Sequence, residues 1–202
     1  MITIYYTYYE PTLQKEKRSR EHQLGRSLLS MGLWDLYGLS IPPDQIDRHL
    51  SANDHEKPYL PQHPHIHFNI SHCEQLVACG FSPCPLGIDV EDIAPFRETI
   101  FRRVLTPSEQ EFLLPLRENL PLYQEYFYRF WTLKESRIKE AGLGLAMPMT
   151  DFSFQINAST DPAQITCSQE NLHFYQTKLD TRRILSVCTR QPIESIALRL
   201  IP

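Results

Sequence analysis

The sequence predicts an α+β protein in which a strand, a long helix and several short antiparallel strands occur twice along one chain. Three observations lead there. β-branched and aromatic residues open the chain, residues 14–37 carry helical apolar spacing and a second long helical stretch stops at Gly142, and short strand candidates follow each.

The elements follow in order. Residues 2–9, made of Ile, Thr and Tyr, form a strand. Between residues 14 and 37, Leu24, Leu28, Met31 and Leu36 recur at near-helical spacing, and Gly38, Pro42 and Pro43 close the region. The prolines hold Lys57-Pro58-Tyr59-Leu60-Pro61 extended. Strand candidates follow at 65–71, 75–81 and 86–91. Residues 95–114 read as helical, with Thr106-Pro107-Ser108-Glu109 supplying an N-cap, a proline at the first helical position and an acid in the first turn. A longer helix, 122–141, stops at Gly142. Strands at 152–157, 173–177, 184–189 and 195–200 complete the chain. No residue-level repeat relates the halves, so an internal symmetry would lie in the fold alone.

Composition narrows the function. With 202 residues, 42% of them hydrophobic, the chain can bury a core as one domain or two small halves. A net charge of −4 argues against a dedicated nucleic-acid binder. No apolar run approaches a membrane span, and the start Met1-Ile2-Thr3-Ile4-Tyr5-Tyr6 lacks a basic leader. Five cysteines without a C-x-x-C pair suit a reducing, cytoplasmic setting. The dense basic stretch Lys15-Glu16-Lys17-Arg18-Ser19-Arg20 is either a solvated helix face or a phosphate-binding patch that needs a partner elsewhere.

Four constellations bear chemistry. Asp89 and Glu91 are two apart on a strand, hence on one face about 6.5–7 Å apart, where two carboxylates can hold one hard cation such as Mg²⁺. Ile88 and Val90 then point the other way, into a core. Trp131, Glu135 and Lys139 stand at i, i+4 and i+8 on the long helix. Glu135 suits a third metal ligand or a base and Lys139 a phosphate clamp, although spacing alone favours a surface ion pair worth about 0.2–0.5 kcal/mol. Phe68-Asn69-Ile70-Ser71-His72 ends a strand with an amide, a hydroxyl and an imidazole, groups that also serve ordinary turn chemistry. His65 and His67 hint at zinc, but no third ligand has the spacing such a site needs.

Read together, these segments resemble the Sfp-type 4′-phosphopantetheinyl transferases. The resemblance rests on Lys57-Pro58-Tyr59 leading to Phe68 through His72, on Gly87 through Glu91, and on Trp131 through Lys139 followed by Gly142-Leu143-Gly144-Leu145. Arg18, Glu21, Gly25 and Arg26 match the family's looser N-terminal pattern, and Cys73 stands where serine or threonine is commoner. The resemblance implies two similar α+β halves, residues 1–84 and 85–202, related by pseudo-twofold symmetry. It implies antiparallel sheets each packed by a long helix, with coenzyme A bound between the halves.

It further implies that Asp89, Glu91 and Glu135 hold Mg²⁺ and that Lys139 and Lys134 meet the pyrophosphate. Lys57, Pro58 and Tyr59 would line the nucleotide side. Ser71 and His72 would bind the ribose 3′-phosphate with Arg18, Arg20 or Arg26. A serine of an acyl or peptidyl carrier protein would attack the phosphorus attached to pantetheine and release 3′,5′-ADP. Glu135 or a water relay would take the proton. The carrier could belong to fatty-acid, polyketide or non-ribosomal-peptide synthesis, and a monomer suffices. Residues 96–104, which interleave aromatics with Arg97, Arg102 and Arg103, are the candidate carrier-docking segment. A Mg²⁺-dependent phosphohydrolase and a non-catalytic coenzyme A binder are the competing readings.

Overall fold

A computed structural model describes all residues, 1–202. The first strand, β1 (Ile2–Tyr8), leads into helix α1 (Gln14–Tyr37). Two short strands, β2 (Ser51–Ala52) and β3 (Pro58–Tyr59), pair with each other before β4 (His67–Cys73), β5 (Leu76–Ser82) and β6 (Leu86–Asp92). Helices α2 (Phe101–Val104), α3 (Pro107–Leu113) and α4 (Leu120–Ala141) follow. Strands β7 (Phe154–Asn157), β8 (Gln164–Cys167), β9 (His173–Lys178), β10 (Arg183–Thr189) and β11 (Ile196–Leu200) complete an α+β fold.

The main sheets are β11-β1-β5-β4 and β6-β10-β9. Strand alternation on β5 shows how they stack. Val77, Cys79 and Phe81 pack with Leu28, Leu29 and Leu33 of α1. Leu76 and Ala78 turn the other way, onto Ile88, Val90, Leu185 and Val187 of the second sheet. The second sheet is covered in turn by α4, whose Thr132 hydroxyl meets that of Ser186 at 2.8 Å. The layers are therefore helix, sheet, sheet, helix. A third core of Phe127, Phe130 and Leu133 with Phe101, Leu113, Phe152 and Phe154 packs the outer side of α4. Burial of each such side chain contributes about 1.5–3 kcal/mol, which anchors α4 between two cores.

Local chemistry sets the boundaries. Gly142, at φ 66°, caps α4 in the left-handed region and sends its amide to the Ile138 carbonyl. Thr106 and Glu109 form a reciprocal capping box at the start of α3.

Three features differ from the sequence-based expectations. The helix over 95–114 is broken, because Leu105 and Thr106 are extended ahead of Pro107, whose ring disfavours helix at the preceding residue. Strands β2 and β8 have no counterpart among the expected strands; β2 is only two residues long, and β8 has no buried residue. Strand β11 pairs parallel with β1, so the first sheet is mixed rather than antiparallel, and the C-terminal strand completes the sheet of the N-terminal half.

Candidate active site

Strands β4 and β6 are the facing edges of the two sheets, and the site grows from their seam. Side chains bridge this seam. The Ile88 amide donates to Asn69 Oδ1 at 2.8 Å and the Val90 amide to Ser71 Oγ at 3.2 Å. Asn69 and Ser71, two apart on β4, thus face β6, while His72 turns to the opposite side. There its Nδ1 lies 3.5 Å from Glu21 of α1.

Helix α4 closes over β6 at Gly87. A Cβ there would stand 2.0 Å from the Ser136 carbonyl oxygen and 2.3 Å from the Glu140 nitrogen. Only glycine permits that approach. It brings Lys139 within 2.6 Å of Asp89 Oδ1 and 3.0 Å of Ser71 Oγ. Ser71 also donates to Asp89 Oδ1 at 3.0 Å.

The three predicted acids gather around this ammonium. Burial raises the Asp89 pKa against the opposing pull of Lys139 and Ser71. Glu91 is pushed up to about 8, first by burial and then by the neighbouring Asp89 and Glu135 charges. Burial and the Asp89 charge likewise raise Glu135. The Trp131 indole N–H is buried beside Glu91 without completing a hydrogen bond.

No three His, Cys, Asp or Glu side chains are drawn into ligating geometry. The donor set nevertheless fits a hard divalent cation. Asp89 Oδ2 is buried with no partner. Ionised together by a bound cation, three carboxylates against one ammonium would carry two net negative charges, and all the donors are oxygen.

A cleft of about 830 Å³ opens beside these groups, lined by Lys57, Asn69, Arg103, Trp131, Glu135 and Lys139 among others. Pro58 lines it too, and with Lys57 and Tyr59 it borders an adjoining cavity of about 110 Å³. The Lys57 ammonium is spent on the Leu86 and Glu140 carbonyls, each at 3.0 Å, so it ties the β3 segment to β6 and the end of α4.

The other predicted positions divide between core, acid cluster and surface, and Lys134 is a correction. Lys134 does not reach the cleft. Its side chain is wholly buried, paired with Glu109 at 2.9 Å and donating to the Met149 and Phe152 carbonyls at 2.7 Å. One residue from Glu135 is about 100° around a helix, enough to turn it into the core. Ser71 points into the acid cluster and not outward with His72. Arg18 and Arg20 are exposed on α1, whereas Arg26 is held by Asp47 at 2.6 Å. In the proposed docking segment, Phe96 stacks on Phe127 at 3.9 Å and Phe101 is buried, so those aromatics belong to the core. Arg102 and Arg103 stay exposed.

Sequence reasoning undervalued Asn69, Arg103 and the 142–150 loop that lines the cleft. Each had a signal of another kind: Asn69 its two-residue spacing from Ser71, Arg103 its place in the proposed docking segment, and residues 142–145 the glycines after the long helix.

The family model described as "4'-phosphopantetheinyl transferase superfamily" matches residues 85–188, the span holding β6, α4 and β10. The chain belongs to that superfamily, and it is an enzyme of the phosphopantetheinyl transferase class. Its relatives place it with the Sfp-type members. A 4′-phosphopantetheinyl transferase of Bacillus subtilis is 32% identical over 84% of this chain and 73% of its own. The transferase Sfp of Bacillus subtilis strain 168 is 31% identical over 74% of this chain and 66% of its own. The L-aminoadipate-semialdehyde dehydrogenase-phosphopantetheinyl transferase of Mus musculus is 29% identical over 76% of this chain and 56% of its own. No helix of the protein is long and apolar enough to cross a membrane.

Proposed function

We propose that this protein transfers the 4′-phosphopantetheine arm of coenzyme A to a serine of an apo acyl or peptidyl carrier protein, with Mg²⁺ as its metal and 3′,5′-ADP as the leaving product. The observation that carries this reading is the cluster of Asp89, Glu91 and Glu135 around Lys139, at the wall of a cleft able to hold an elongated ligand.

Asp89, Glu91 and Glu135 would hold the metal, which when bound offsets charge on the pyrophosphate oxygens. Lys139 lines the cleft and presents its ammonium to the same oxygens. Glu135 also lines the cleft and carries a raised pKa, which suits a base that takes the carrier serine proton. As the serine oxygen bonds to the pantetheine-bearing phosphorus, the bond from that phosphorus to the bridging oxygen breaks and 3′,5′-ADP departs. Lys57, Pro58 and Tyr59 shape the nucleotide side, Lys57 through the backbone it fastens. His72 and a basic residue of α1, with Arg18 the first candidate, take the ribose 3′-phosphate.

In this reading the halves divide near Cys84-Pro85 with pseudo-twofold symmetry, and the chain works as a cytoplasmic monomer. Its carrier docks by local charge at Arg102 and Arg103, since overall charge is acidic. The test is incubation with Mg²⁺, coenzyme A and a panel of apo-carriers, each then weighed by mass spectrometry. One added phosphopantetheine is the expected product. Release of 3′,5′-ADP without any carrier would make the protein a hydrolase.

A further inference from the structure

We propose that Asn69 and Ser71 are positioning residues, side-chain struts that hold β6 and its Asp89 in register with Lys139. The inference rests on the transferase reading of the cleft.

Bonding capacity carries it. A serine hydroxyl has one proton to donate and two lone pairs to accept with. Ser71 donates to Asp89 Oδ1 at 3.0 Å and accepts from the Val90 amide at 3.2 Å and the Lys139 ammonium at 3.0 Å. Every position is filled by a group of β6 or α4. The hydroxyl is also buried, with the residue 3% exposed.

The need for struts comes from the topology. Strands β4 and β6 border different sheets, and the β6 amides facing this seam require partners from outside their own ladder. Asn69 serves Ile88 and Ser71 serves Val90, the residues on either side of Asp89. The backbone carrying Asp89 is thereby pinned at two points, and the third bond from Ser71 orients the carboxylate itself. A carboxylate and an ammonium carried by a strand and a helix keep one geometry only if both elements are fixed, and this seam fixes the strand.

The experiment compares Ser71→Ala, Ser71→Thr and Asn69→Ala with the wild type. Steady-state transfer is measured with coenzyme A and with dephospho-coenzyme A, and amide hydrogen exchange is followed at Ile88 and Val90. Strut action predicts that Ser71→Ala lowers kcat about 10- to 100-fold with both donors. Preference between the donors stays as in the wild type, and Ser71→Thr, which keeps a hydroxyl, recovers most of the rate. Exchange quickens at Val90 in Ser71→Ala and at Ile88 in Asn69→Ala. Unchanged kcat with a selective loss of coenzyme A over dephospho-coenzyme A would overturn the proposal and restore Ser71 as a phosphate ligand. Unaltered exchange at Val90 would overturn it independently of turnover. A wild-type protein that transfers nothing would refute the transferase reading, and the exchange measurement would still decide the strut.

Discussion

Gly87→Ala probes the contact on which the site is built. The new Cβ would lie 2.0 Å from the Ser136 carbonyl oxygen, 2.3 Å from the Glu140 nitrogen and 2.9 Å from the Lys139 carbonyl carbon. Non-bonded heavy atoms settle near 3.5 Å, so a gap of about 1.2–1.5 Å must open. All three obstacles are helix backbone, which has no rotamer by which to escape. Helix α4 must therefore move off β6 by about 1 Å, and overpacking of this kind costs about 1–3 kcal/mol or more. The shift acts where Lys139 reaches Asp89 at 2.6 Å and Ser71 at 3.0 Å. Misplacing catalytic groups by about 1 Å costs about 100-fold in rate. Transfer to an apo-carrier and a thermal melt measure the two effects together. A variant with wild-type kcat and Tm would show that α4 does not bear on β6 at Gly87 in solution, and the derivation of the site would fail with it.

Other perturbations separate scaffold from chemistry. Lys134→Met leaves Glu109 buried without its partner and should cost about 3–5 kcal/mol, a Tm fall of about 6–20 °C at this chain length, while the folded enzyme keeps its rate. An unshifted Tm would place the lysine outside the core. Asp89→Ala and Glu135→Ala should each abolish transfer yet give a wild-type circular dichroism spectrum, and Glu135→Gln should retain some metal binding but little turnover; near-normal turnover in any of them removes that carboxylate from the mechanism.

His72→Ala should weaken coenzyme A by about 10- to 100-fold more than dephospho-coenzyme A, as a charge-assisted contact predicts. Equal losses for both would make His72 a support of α1 alone. For pH, Glu91 titrates near 8 when folded and near about 4.3 when unfolded, so the folded state keeps its proton longer. That contribution to stability is complete below about pH 4.3 and is lost as pH rises to about 8. In chelator the Tm should decline across this window, and Mg²⁺ should restore it at the upper end. A flat profile in chelator would mean that Glu91 is neither buried nor crowded by the other acids.

Much of this arrangement was legible in the chain because it depends on short-range order. Apolar spacing marked α1, and Gly38 and Gly142 end α1 and α4 in left-handed caps. Strand alternation put Asp89 and Glu91 on one face with Ile88 and Val90 in the core, as the packing of β6 shows. Helical spacing aligned Trp131, Glu135 and Lys139, and all three line the cleft. Each of these rests on the geometry of one element, which a few neighbouring residues specify.

Contacts between distant residues were decided only by the tertiary structure. Nothing near Ile196 announces that it will pair with Ile2. Lys134 and Lys139 are alike in type and share a helix, yet packing against Glu109 sends one into the core and the close approach at Gly87 sends the other to Asp89. Alternation foretells that Ser71 and His72 face opposite ways, but only the meeting of β4 with β6 spends the serine on Asp89 and leaves the imidazole beside α1. Local sequence dictates which residues share a face. Which face meets which is settled by where the most apolar surface can be buried with every backbone amide satisfied, and that is a property of the whole chain.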